Sequence, residues 1–177
     1  DIKAAPLKKQ DVYALPYLTW GGDVAAFYAN GGEDTQKGSI FDSMGVKVRC
    51  VTGDDFPKQV KSYMAGETPY LRGTVRMIAM AAEVLNSDPS TQPVMVAQLT
   101  WSAGDHMVTR KTVASLNDLK GKKVALQQGG PHVGMLDDIL RSARLKWSDI
   151  TVVFCKNLTG AGSPDEKFRE DPSIDAC

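Results

Sequence analysis

The sequence predicts an α/β protein built mainly from parallel sheets with helices on both faces, divided into two lobes. Three observations carry this. Strand-like and helix-like stretches alternate along most of the chain. One stretch, Ser115–Ile150, reads as a complete strand–loop–helix–strand unit. A short segment at about 104–113 interrupts the alternation and carries the chain from one lobe toward the other. Residues 1–105 then supply most of lobe one, and residues 106–177 the crossing segment and the first part of lobe two.

In order, Asp11–Leu18 is apolar and strand-like, and Pro16 places it at an edge or ends it early. Thr19–Asp23 (TWGGD) is a punctuated loop. Val24–Asn30 is a short helix stopped by Gly31 and Gly32. Gly38–Gly45 carries a second helical piece. Val46–Thr52 alternates apolar and polar residues as a strand does. Asp54 or Asp55 caps the next helix, whose buried face is Phe56, Val60, Tyr63 and Met64. Thr74–Asn86 reads as one helix with Val75, Ile78, Ala82 and Leu85 on a stripe. Asp88–Gln92 is a linker, Pro93–Thr100 a strand, Trp101–Asp105 a loop and His106–Arg110 a short strand.

In the second lobe, Lys122–Leu126 is an apolar run with charged flanks, suited to a buried strand. Gln127–Pro131 breaks it, and Val133, Leu136, Leu140 and Ala143 then mark one helix face. Asp149–Cys155 is the next strand. The loop between presents backbone N–H groups at a helix N-terminus beyond the carboxyl end of a strand, where open α/β sheets hold ligands, anionic ones especially. Asn157–Ser163 is a glycine-rich loop, Pro164–Glu170 a short helix, and a strand begins at Ile174. Ending there would leave an open sheet edge.

Composition narrows the function. The 177 residues are 42% apolar, enough for one sizeable core or two small ones. Acidic and basic residues balance at 21 each with no basic block, which argues against a nucleic-acid surface. No apolar run reaches membrane-spanning length. The three cysteines, Cys50, Cys155 and Cys177, show no C-x-x-C spacing and sit in or beside strand-like runs. They read as structural thiols, with a disulfide open to two of them in an exported protein. There is no G-x-S-x-G elbow, P-loop or H-E-x-x-H, and the glycines after Gln128 do not match the dinucleotide fingerprint. No cofactor and no metal site are expected.

Three loops share a recognition-type composition of aromatic rings, amides, hydroxyls and glycines. They supply the candidate ligand-binding residues: Thr19, Trp20 and Gly21; Trp101 and Ser102; Gln127, Gln128, Gly129 and His132. Packing is the alternative role for both tryptophans, turn formation for the glycines, and helix or turn capping for Asp23 and Asp105. Arg72 could meet an anion or stay solvated. Asn157-Leu158-Thr159 matches an N-glycosylation pattern, relevant only in a eukaryotic secretory setting.

The phrases DLKGKKVAL, ILRSARL and WSDITVV, and the final DPSIDAC, resemble ABC-transporter solute-binding proteins of the nitrate/sulfonate/taurine class, which share their fold with the NMT1-like thiamine-pyrimidine proteins. The resemblance runs from about Val12 to the last residue and is densest at Asp118–Val153. It implies a two-lobed, type II periplasmic-binding-protein fold whose second lobe is incomplete in this chain, with a separate C-terminal fragment as a possible partner. It further implies capture of a small polar or anionic solute in an interlobe cleft by hinge closure, and delivery to an ABC permease. The location implied is periplasmic, or extracellular and membrane-tethered. A pyrimidine-synthase-like enzyme on the same fold is the alternative, although the cysteine cluster of those enzymes is not seen here. A sensory module would need a fused signalling or DNA-binding segment, which these residues do not contain.

Overall fold

The computed structural model describes residues 2–101 and 104–177. The chain divides into two compact units, Asp1–Ser102 and Ala103–Cys177.

The first unit is built on two parallel strands, β1 (Tyr13–Tyr17) and β2 (Val48–Thr52), in register from Tyr13 opposite Val48 to Tyr17 opposite Thr52. Alternation along β2 works as the sequence pattern requires: Val48 and Cys50 are buried and Arg49 between them is exposed. An antiparallel bridge from Asp34 to Arg49 flanks β2 on its other side. The edge of β1 away from β2 is blunted. Pro16 has no N–H to offer there, and the Ala14 carbonyl accepts the Thr68 hydroxyl at 2.6 Å.

Between the strands run α1 (Val24–Asn30) and α2 (Ile40–Ser43). After β2 comes α3 (Phe56–Met64), which begins where the Asp55 carboxylate accepts the Lys58 N–H at 3.1 Å. Its apolar face, Phe56, Val60 and Met64, closes a core with Leu18, Met77 and Leu85.

The expected single helix at Thr74–Asn86 is instead two, α4 (Val75–Met80) and α5 (Ala82–Leu85), broken at Ala81. Thr74 caps the first by accepting the Met77 N–H at 3.1 Å. The break re-aims the stripe. Val75 is 68% exposed, while Met77 and Leu85 are fully buried. The expected strand at Pro93–Thr100 is not formed. Val94, Met95 and Val96 are more than 70% exposed, because the hydrophobic pattern alone cannot supply a pairing partner and β1 offers a blunted edge.

The second unit holds β3 (Lys123–Gln127) and β4 (Thr151–Cys155), parallel and in register from Lys123 opposite Thr151 to Gln127 opposite Cys155. α6 (His132–Ser142) covers one face through Leu136 and Leu140, packed with Leu119, Val124, Leu126 and Ile150. α7 (Pro164–Glu170) lies toward the other face, where Phe168 packs against Ala125, Cys155 and Ile174.

The C-terminal residues do not leave the edge that the sequence suggests. Ala176 bridges Val124 in parallel and Thr109 antiparallel, so the last segment sits between β3 and the crossing segment. Val108 and Cys177 exchange backbone hydrogen bonds at 2.9 Å each. The expected strand at His106–Arg110 is reduced to this bridge. Arg110 stitches the arrangement. Its Nε donates to the Ile174 carbonyl at 3.1 Å, its Nη2 donates to the Phe168 carbonyl, and its guanidinium lies 4.0 Å from the Phe168 ring centre.

Candidate functional site

Each unit presents a loop at the carboxyl end of its first strand. In the first unit this is Leu18–Asp23. A single 3-10 turn, Gly21–Asp23, folds the loop back on β1. Asp23 closes it: Oδ2 accepts the Leu18 N–H at 3.0 Å, and Oδ1 accepts Arg72 Nε at 2.6 Å. Asp23 is 1% exposed. It is therefore a buried loop anchor, and Arg72 meets this internal carboxylate rather than open solvent.

The Trp20 indole lies on Gly22. A Cβ at that position would collide with the ring and with Thr100 Cγ2, 2.5 Å away. Glycine is required here by close approach. The same contact brings Thr100, and with it the neighbouring Trp101, to the Trp20 loop. Trp20 is 40% exposed and Trp101 83%. A Cβ at Gly21 would meet no neighbour within 4 Å. Thr19 is exposed, but both of its donors turn inward: its N–H and hydroxyl donate to Asp54 at 2.8 and 2.5 Å. Ser102 lies outside the described residues.

In the second unit the loop is Gln127–His132. The Gln127 side chain is buried and supports the loop from beneath, with Nε2 donating to the Lys156 carbonyl at 3.4 Å. Gly130 rests on it, with no room for a Cβ. Gln128 is exposed, and its backbone N–H donates to the Cys155 carbonyl at 2.9 Å. Gly129 has φ 67°, which a β-carbon resists. α6 then starts after Pro131, which has no side chain able to cap it, and the Val133 N–H donates back to the Gly130 carbonyl at 3.4 Å. His132 is half-buried, with Nε2 3.9 Å from Asp105 Oδ1.

Beside His132, a cavity of about 200 Å³ opens between α6 and the crossing segment, lined by His106, Met107, Val124, Met135 and Ile139 among others. The loop chemistry of this unit is thus one of an exposed amide and an imidazole over an apolar floor.

The structure brings Thr19, Trp20, Gly21 and Trp101 together in one unit, and Gln127, Gln128, Gly129 and His132 in the other. Sequence reasoning did not find the Gln59–Arg72–Asp23 connection beneath the first loop. Its one visible signal was the pair of charges, Asp23 just after Gly21-Gly22 and Arg72 just before Gly73. Burial raises the pKa of all three cysteine thiols above the usual value. All three are free, which leaves the disulfide alternative unused in this structure. Among the described residues no cluster of three or more His, Cys, Asp or Glu could hold a metal. No helix among them is long and apolar enough to cross a membrane.

This arrangement, parallel β–loop–α units with glycine loops at the strand ends, is that of a type II periplasmic-binding-protein fold. The family model described as NMT1/THI5 like matches residues 36–161. The chain belongs to the NMT1/THI5-like family. No curated protein matches it significantly. Among solved structures, an ancestral arginine-binding protein bound to arginine is similar at 19% identity and a TM-score of 0.50, over 94% of this chain and 69% of that one. At that identity the likeness speaks for the fold.

Proposed function

We propose that this chain captures a small polar or anionic solute outside the cytoplasm and delivers it to an ABC permease. Family and fold support the solute-binding part of this reading. The observation that carries it is the repeated loop design at the carboxyl end of each unit's first strand: an exposed indole over a glycine turn in one unit, and the Gly129-Gly130 turn with the exposed Gln128 amide and His132 in the other. Aromatic surface with a few placed polar groups is a recognition composition. Trp20, Gly21, Trp101, Gln128, Gly129 and His132 carry the contacts in this proposal, with Thr19 and Gln127 holding the loops, and Ser102 retained as a candidate. Capture of this kind needs no covalent step.

The test is a thermal-shift screen of the purified protein against nitrate, bicarbonate, taurine, short alkanesulfonates, pyrimidines and L-arginine, followed by calorimetry. A solute that binds only the folded state must raise the melting midpoint, by about 2.7 kcal/mol of stability at a hundredfold excess over Kd. A rise for one chemical class supports the reading and names the solute. No rise for any compound sinks it. The competing reading is a synthase on the same fold, which family membership keeps open. Turnover of a bound pyrimidine precursor, or a cofactor absorption band, would favour it.

A further inference from the structure

We propose that Gln59 and Arg72 are positioning residues for the Trp20 loop, fixing the indole face that meets the solute. The proposal rests on the solute-binding reading for its ligand consequence only. The geometry is a relay of four links inside the first unit. Gln59 clamps the backbone of Arg72 from both sides: the Arg72 N–H donates to Gln59 Oε1 at 3.0 Å, and Gln59 Nε2 donates to the Arg72 carbonyl at 2.9 Å. The same amide nitrogen donates to the Gly53 carbonyl, which follows β2. Arg72 in turn is held by two donations, Nε to Asp23 Oδ1 and Nη1 to the Gly73 carbonyl at 3.1 Å. Asp23 then holds Leu18, whose carbonyl accepts the Trp20 N–H at 2.7 Å. The segment after β1, the segment after β2 and the Arg72 segment are tied in this way to one point beneath the indole.

Two observations argue that the relay sets geometry more than stability. Its members are hidden, with Gln59 7% and Asp23 1% exposed, and the Arg72 side chain 17%. A buried ion pair of this kind is weak evidence for stability, since desolvation offsets most of the attraction, whereas a fixed register is a role such pairs are known to serve. Its endpoint is also a large ring left 40% exposed on a loop that allows no Cβ at Gly22. Holding an exposed aromatic in one place removes ordering entropy that binding would otherwise cost. Arg72 Nε and Nη1 both donate to protein acceptors, so the role assigned to the residue here acts through Trp20.

The test uses the full chain labelled with 5-fluorotryptophan and read by fluorine NMR, the Trp20 resonance being assigned by its loss in W20F. R72M and Q59L are each expected to shift and broaden or sharpen the Trp20 signal, while that of Trp147, tied to Asp137 at 2.8 Å in the other unit, stays in place. R72K, which keeps the charge but loses the planar fork, should fall between wild type and R72M. If R72M fails to fold, Q59L and R72K carry the same comparison. Titration with taurine and with L-arginine forms the second arm. A probe that binds wild type should bind the folded variants up to about tenfold more weakly, the scale of ordering one large side chain on binding. An unchanged Trp20 signal in folded Q59L and R72K overturns the positioning role, whatever wild type binds. A changed signal with neither probe bound by wild type supports the positioning role and excludes taurine and L-arginine as the solute.

Discussion

Thr19 gives both of its donors to one carboxylate: its N–H and its hydroxyl reach the two oxygens of Asp54 at 2.8 and 2.5 Å. Composition suggested a hydroxyl free for ligand, and the geometry turns it toward the start of α3. Thr19→Val should therefore lower stability by about 1 kcal/mol, the scale of one hydrogen bond to a charged group at an exposed site. It should leave the affinity for any solute found in the thermal screen within about twofold. Urea unfolding and calorimetry check the two parts. A large affinity loss with unchanged stability would return Thr19 to the ligand wall.

Gly130 sits on the buried side chain of Gln127 without room for a methyl group. Gly130→Ala should destabilise the second unit by about 1–3 kcal/mol through overpacking. Gly129→Ala acts differently, by backbone strain at φ 67°, at about 1–2 kcal/mol. The double variant Gln127→Ala with Gly130→Ala should recover part of the Gly130→Ala loss, because the closest clash partner, Gln127 Oε1, is gone while its Cβ at 3.0 Å stays. Purely additive losses in a double-mutant cycle would contradict the contact.

Asp118 ties the turn that leads into β3. Its carboxylate accepts the Ser115 hydroxyl at 2.9 Å and the Ser115 and Ala114 N–H groups at 2.8 and 3.1 Å. The Ser115 hydroxyl first, then the backbone donors, hold its pKa below the ordinary carboxylate value. A carboxyl lowered on folding adds stability above its unfolded pKa of about 4, and that contribution is lost as pH falls through the lower folded value. Asp171 and Asp165 behave alike, lowered chiefly by the Ser173 and Ser163 hydroxyls. The melting midpoint should fall as pH drops from about 5 toward 2. Asp118→Asn should flatten that slope, and an equally steep slope in the variant would contradict the assignment.

Cys50 and Cys155 are buried, and Cys177 is partly so. Desolvation raises each thiol pKa, which keeps the reactive thiolate scarce near neutrality. Disulfide-exchange reagents should modify the folded protein slowly, Cys177 before the others, and all three thiols quickly in guanidinium. Fast modification of a buried cysteine in the native state would point to an opening motion or an activated thiol.

Local chemistry was legible in the sequence wherever a short range decides it. The stop at Gly31-Gly32, the Asp55 cap, the extent of α7 at Pro164–Glu170 and the β3–loop–α6–β4 unit all follow from neighbours within a few residues, whose periodicity and caps act at that distance. The family resemblance was legible on the same stretch, and so was the clustering of Trp20 with Gly21. The tertiary structure decided the rest, because it depends on partners far apart in sequence. Pro93–Thr100 has a strand's composition but no ladder to join, since Pro16 and Thr68 blunt β1. The segment at Ile174–Cys177 looked like an open edge and is paired on both sides. Arg72 could by its sequence meet an anion or stay solvated, and it is committed to Asp23, 49 residues away. A carboxylate buried by folding takes whichever cation the packing delivers, and no spacing rule in one dimension encodes that delivery.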